Sequence, residues 1–324
     1  MHDRPGRTRA SAGDTVLTFL RRRAVSAAIP LLVVLLGVFL LARLTGDPTA
    51  LYLPESASPA DRAEFAAANG LDLPVWQQLL DYLAGIVQLD LGTSLRTEEP
   101  AAEMVLRAFP VTLSLAAVTM LLAVAGALLI GSWAAYRPNS PADRTSSFLT
   151  MTAASVPDFW LAVTGVWLLA VVLGVLPTSG MDNGVLSWVL PVAVLMVRPL
   201  GVLTQVVRGA MVSALSAPYV RLARSKGADG RRVVTHHALR NAAAPALTVA
   251  GDLAVGLVNG AVIVETIFGW PGIGKLMIDA ILQRDFAVLQ AAVLLTAVAI
   301  FVLNIAIDIG YALLDARVRD VATV

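Results

Sequence analysis

The chain has 324 residues, 57% hydrophobic and 15% charged, with a mean hydropathy of +0.75. A soluble domain carries about 25% charged residues, so this composition excludes an ordinary soluble enzyme and points to a helical integral membrane protein. The formal net charge of +1 gives no information on partners, and the absence of cysteine excludes disulfides, thiolate metal sites and Cys nucleophiles.

A helix needs about 20 apolar residues to cross ~30 Å of hydrocarbon. Six segments have that length: 24–42, 111–136, a stretch within 147–176, 185–207, 246–268 and 287–311. The first is preceded by a 1–23 tail with six arginines. Its apolar core is too long for a cleaved signal, and no small-residue cleavage motif follows it. Next comes an external segment, 44–108. It holds two helical periods, 60–68 opened by Ser58-Pro59 and 75–88 opened by Pro74. The second places Trp76, Leu79, Leu80, Leu83 and Val87 on one stripe, as expected for packing against protein or lying on a bilayer surface. The segment reads as a small cap, with no nucleophile–base constellation.

The 109–313 region holds the other five spans. Pro30, Pro157, Pro191 and Pro199 interrupt spans, and freed backbone groups there need local partners. Three charges stand out inside spans, Asp158, Arg198 and Asp252, at similar expected depths. Charges there are costly and are paired or functional. Pairing of Arg198 with Asp158 or Asp252 is one reading, and a direct role along a solute path is the other. Asp308 lies near an interface and is expected to snorkel.

The longest polar loop is 208–244. A helix over 220–225 is expected to end at Lys226-Gly227, since Gly suits the left-handed cap. A second helix is expected over 231–241, with Pro245 opening the fifth span. A helix–Gly turn–helix makes a rigid knob, whereas a mere charge-bearing tether needs no such order. His236 and His237 in this loop are adjacent, so they point different ways on a helix and suggest no zinc site.

After the fifth span comes FGWPGIGKLM, 268–277. Gly269 and Gly274-Lys275 mimic a phosphate loop, but Leu276 stands where Ser or Thr should hold Mg²⁺, and no short strand precedes it. The glycines and Pro271 read as a re-entry turn into a short amphipathic helix. Lys and Arg set the orientation. The 1–23 tail has six, the 137–146 loop Arg137 and Arg144, the 208–240 loop seven, and the last tail (314–324) Arg317 and Arg319, which is 17 of the 24 on one side. Both termini are therefore expected to be cytoplasmic, with the phosphate-loop mimic on the outer face, where no ATP is available.

YVRLARSKGADGRRVVTHHALRNAAAPALT (219–248) resembles the inner loop of permease subunits of ABC importers for dipeptides, oligopeptides and nickel. Tyr219, Ala223, Arg224, Ser225, Lys226, Gly227, His237, Ala238, Leu239, Asn241 and Pro245 match its pattern. LTGDPTA, NGLDLP, LDLGTSL, SVPDFWLA, LGVLPTSG, VETIFGWPGIGKLMIDAILQRDFAVLQ and DIGYALLDARVR match further family stretches in order. Departures are Arg221-Leu222-Ala223 in place of Glu-Ala-Ala, Gln205 for a basic residue, Leu89 for Gly and Ala316 for Pro. The resemblance implies an all-α fold of the type I importer permease, with six transmembrane helices and a cap after helix 1. It implies a non-catalytic subunit with no cofactor, with ATP and Mg²⁺ held by two cytoplasmic ATPases. A second homologous permease subunit and an extracytoplasmic substrate-binding protein complete the assembly; membrane lipid is a partner and nucleic acid is not. It also implies ATPase coupling through Tyr219, Ala223, Arg224, Ser225, Lys226 and Gly227. Peptide is the expected solute and nickel the alternative. A secondary transporter would need more spans, internal repeats and coupling-ion residues, and a structural scaffold would not explain the ordered loop.

Overall fold

The computed structural model describes residues 29–41, 43–44, 49–54 and 56–314. The arginine-rich tail, Gly46-Asp47-Pro48, the Asp308 side chain, Arg317 and Arg319 lie outside the described residues. Helices account for most of the described residues. A short apolar helix, α1 (Ile29–Leu41), is followed by three small ones, α2 (Thr49–Tyr52), α3 (Pro59–Ala68) and α4 (Val75–Gln88). Then come α5 (Ala101–Tyr136), α6 (Pro141–Ala154), and α7 (Asp158–Gly165) running into a π-helical stretch Val166–Val172. The chain continues with α8 (Val185–Ser216), α9 (Pro218–Ser225), α10 (Gly230–Arg232), a second π stretch Val233–Ala238, α11 (Leu239–Ile267), α12 (Ile273–Gln283) and α13 (Phe286–Leu314).

Among the described residues, α5, α8, α11 and α13 are long and apolar enough to cross a membrane, and α6–α7 makes a fifth span if the bent pair counts as one. The pair bends by 95° around Ser155–Pro157, because Pro157 lacks an N–H and disfavours α geometry in the residue before it. The expected 111–136 span lies within α5, whose helix starts ten residues earlier at Ala101. One expectation is corrected. Pro245 does not open a helix but lies inside α11, which is continuous through the π stretch with α10.

The bundle packs through small residues. Ala108, Thr112, Ala116, Thr119, Ala123, Ala127, Gly131 and Ala134 recur every three or four positions on the buried face of α5, so the α8 backbone can come close. Gly201 on α8 approaches α6 so closely that a Cβ there would lie 2.5 Å from the Thr150 carbonyl oxygen. Along the bundle the core falls into two main clusters. One, toward the α12 end, includes Leu115, Leu190, Leu195, Leu257 and Trp270. The other, toward the α9 end, includes Ala127, Leu203, Met211, Ala242 and Ala250. A third cluster joins α5 to α12 and α13 through Val105, Ile273, Ala280 and Val288.

Candidate functional site

The α9 segment carries the six loop residues singled out from the sequence. Ala217 precedes Pro218, whose fixed φ suits the first helical position. At the other end Gly227 has φ +83°. The Gly227 N–H donates to the Arg224 carbonyl and the Ala228 N–H to the Ala223 carbonyl, both at 3.0 Å. That is the Schellman pattern, with glycine where the left-handed residue must be. Asp229 then caps α10, its side chain accepting from the Arg232 N–H at 2.9 Å. The elbow is fixed from below, since Val220 and Val233 are fully buried and Asn241 Nδ2 donates to Tyr219 Oη at 2.9 Å. Arg221, Leu222, Arg224, Ser225 and Lys226 are left exposed. The result is a capped helix presenting a cationic face together with two exposed large side chains, Tyr219 and Leu222.

The three intramembrane charges are not brought into one cluster. Asp158 and Arg198 line a common cavity. The Asp158 carboxylate faces Gly260 of α11, where a Cβ would sit 3.9 Å from Oδ2. Asp252 lies two helical turns before Gly260, about 12 Å along the axis at 1.5 Å per residue. The similar depths expected for Asp158 and Asp252 therefore do not hold. No hydrogen bond or contact ion pair joins Arg198 to either carboxylate among the described residues.

Two charged sites went unread in the sequence. At the α9 end, Asp143 is buried at the start of α6 and forms a two-pronged pair with Arg208 of α8. Arg208 Nε donates to Oδ1, and Nη2 donates to Oδ2 at 2.8 Å. Asp143 also accepts from the Asn139 N–H at 2.8 Å. One turn away, Gln205 Nε2 donates to Thr150 Oγ1 at 2.8 Å, so the same ridge of α8 is tied twice to α6.

At the other end, the phosphate-loop mimic turns out to hold a carboxylate of its own chain. Gly269 (φ +59°) closes α11 with another Schellman motif, the Trp270 N–H donating to the Glu265 carbonyl at 2.8 Å. The chain doubles back through Pro271-Gly272 into α12. This aims the first N–H groups of α12 at the fully buried Glu265 side chain. Oε2 accepts from the Gly274 N–H at 2.7 Å and the Lys275 N–H at 3.3 Å, and Oε1 accepts from Thr112 Oγ1 at 2.6 Å. The Thr112 hydroxyl in turn accepts from the Ile273 N–H at 2.8 Å. A helix N-terminus favours an anion by its orphan donors and its dipole, and here the anion is Glu265. Trp270 is buried edge-on to Trp188, ring centroids 4.9 Å apart. The signal was available: Glu265 lies inside the 246–268 span.

The cap is fastened to the junction of α12 and α13. Tyr52 Oη donates to the Gln283 carbonyl at 2.8 Å, and Ser94 Oγ to Asp285 Oδ2 at 2.5 Å in a buried contact. Burial and the neighbouring Asp285 charge push the Tyr52 phenol up to about 12. Arg43 lies 4.1 Å over the Phe39 ring, and its Nε donates to Gln78 Oε1 at 3.0 Å. The expected α4 stripe is thereby split. Leu79 and Leu83 are half-buried beside Gln78 and Tyr82, while Trp76, Leu80 and Val87 are exposed. At the end of α4, Leu89 has φ +61°, the position where the resemblance places glycine.

Comparison with known proteins gives the family. Residues 127–320 match the model of the binding-protein-dependent transport system inner membrane component, and residues 16–116 match its N-terminal companion. The di/tripeptide transport system permease protein DppB of Pseudomonas aeruginosa is 38% identical, over 94% of this chain and 99% of its own. The oligopeptide transport system permease protein AppB of Bacillus subtilis is 35% identical over 93% and 98%. In fold, the chain is similar to the MetNI methionine ABC transporter in inward facing conformations, with TM-score 0.57 and 18% identity over 67% of this chain and 99% of that one. The chain belongs to the binding-protein-dependent transport system inner membrane components, the permease subunits of ABC importers.

Proposed function

We propose that this chain forms half of the translocation path of an ATP-driven peptide importer and receives the ATPase stroke through α9. The observation that carries the coupling role is the capped, exposed α9, fixed at Val220, Tyr219 and Gly227. The peptide substrate is supported by relatives at 35–38% identity that are named as peptide permeases. In this reading the chain does no catalysis. Two cytoplasmic ATPases hold ATP and Mg²⁺ and receive Tyr219, Ala223, Arg224, Ser225, Lys226 and Gly227. This chain contributes six spans, and a second, related permease completes the path. The cap and the 269–286 segment meet an external binding protein. Both termini lie in the cytoplasm of a cell whose inner membrane the chain spans several times, in keeping with the distribution of its arginines.

A stiff link is needed because a floppy loop absorbs displacement. Gly227→Val places a β-branched residue at φ +83°, where such residues are strained, and Ala223→Asp puts a carboxylate on the half-buried side of α9. In the purified complex, uptake should fall at least about tenfold in both variants, as a loss of 1.4 kcal/mol or more of coupling requires, while ATP hydrolysis continues. Full uptake with wild-type stimulation of hydrolysis by the loaded binding protein would count against the assignment. A binding protein that takes up Ni²⁺ and no peptide would move the substrate to nickel.

A further inference from the structure

Asp158 opens α7 just after its break from α6, and Arg198 lies within the continuous α8. Pro157 sits at the 95° bend between α6 and α7, and Pro199, beside Arg198, lies inside α8. Between them is a cavity of about 270 Å³ walled by Ala154, Ser155, Val156, Pro157, Asp158 and Arg198. Irregular backbone at membrane depth is tolerated where it lines a water-filled cavity or is buried in protein.

The depth follows from the core. On α8 the cluster toward the α12 end stops at Leu195 and the other resumes at Leu203, with Arg198 in the gap. Arg198 is 13 residues into the 32-residue helix, roughly 20 Å from its start. It is exposed on the surface of the chain and Asp158 is half-buried. A charge facing lipid at this depth is costly, so this face meets water or protein.

We propose that Asp158 and Arg198 form a transient station for a zwitterionic peptide, the Arg198 guanidinium taking its carboxylate and the Asp158 carboxylate its ammonium. The proposal rests on the importer reading and deepens it. The two opposite charges share one cavity without bonding each other, so a solute that carries both signs satisfies both at once. The guanidinium fork matches a carboxylate in two parallel hydrogen bonds. A lone divalent cation is attracted by Asp158 and repelled by Arg198, so the pair favours a peptide over nickel. The cavity is close to the ~300 Å³ lower bound of ligand pockets, which suits one end of a peptide or a very short one.

The test uses the whole complex in proteoliposomes with its binding protein, and alanine peptides of two to five residues as probes. Arg198→Gln and Asp158→Asn should each cut uptake about tenfold or more, the scale of one lost charge-assisted hydrogen bond. Arg198→Lys should recover only part of it, because an ammonium keeps the charge but loses the two-pronged contact, and all three complexes should purify with every subunit. Wild-type uptake in both neutral variants overturns the proposal. Loss of the second permease from the Arg198→Gln or Asp158→Asn complex also overturns it, because the charge then ties subunits together. A wild-type complex without an ATP-hydrolysing subunit, or without uptake of any alanine peptide, contradicts the importer reading itself.

Discussion

Replacing Gly272 by alanine should dismantle the turn after α11. A methyl carbon there would lie 2.2 Å from Glu265 Oε1, 2.3 Å from Cδ and 2.5 Å from Oε2. All three are far inside van der Waals contact, and the obstacle is a carboxylate already fixed from three sides. The backbone at Gly272 is extended, with φ −92° and ψ −179°, so the objection to alanine is space and not torsion. The carboxylate must leave its seat. It then loses Thr112 at 2.6 Å, Gly274 at 2.7 Å and the longer Lys275 contact at 3.3 Å. Hydrogen bonds to a charged group are worth about 1.5–3 kcal/mol each. Two good ones and a weak one amount to roughly 3–6 kcal/mol, before any cost of leaving Glu265 buried without partners. Glu265→Gln keeps the shape and an acceptor, and should cost about 1–2 kcal/mol. Gly256→Ala, in the same helix with nothing within 4 Å of the new Cβ, should be neutral or stabilising by up to about 1 kcal/mol. Thermal unfolding of the three purified variants in one detergent measures the order. Equal melting of Gly272→Ala and Gly256→Ala would refute the reasoning, since it would mean that the carboxylate is not held in the cradle.

Asp143→Ala removes the partner of Arg208, and should destabilise the chain by about 2–4 kcal/mol. That is less than the ~3–5 kcal/mol for a fully buried pair, because Arg208 keeps 28% of its side chain exposed against 2% for Asp143. Arg208→Lys should recover little, because an ammonium cannot make the two-pronged contact; a melt of Arg208→Lys at the wild-type temperature would contradict this. Leu89→Gly should stabilise the cap by about 1 kcal/mol, by relieving a left-handed residue with a Cβ. Native-state proteolysis at the end of α4 would show slower cutting, and faster cutting would count against the strain argument.

Much of the architecture was legible because hydropathy reports length and proline reports breaks. The last five of the six expected spans, counting the bent α6–α7 pair as one, the α3 and α4 boundaries and the Gly227 elbow follow from short-range pattern. Elements with partners far along the chain did not. Glu265 was visible as a charge within a span, but its hydroxyl partner Thr112 is 153 residues away, and no local rule joins them. The same holds for Asp143 and Arg208, 65 residues apart. Apolar stripes also mislead about direction. On α4 the half-buried face includes Gln78 and Tyr82, because Arg43 and Phe39 of the first helical segment offer a polar and an aromatic partner. Pro245 suits a helix start, because its missing N–H is harmless there, yet the structure carries the helix through it. The small-residue ridge of α5 needed only a count of every fourth residue.

The proposed coupling places α9 against the motor on the cytoplasmic side. The chain has no cysteine, so Leu222→Cys introduces a single thiol at an exposed site on α9. In intact cells this thiol should resist a membrane-impermeant maleimide, and in the assembled complex a short bifunctional reagent should join it to an ATP-hydrolysing subunit. Labelling from outside the cell, or a complex in which no ATPase is captured at that position, would contradict the account.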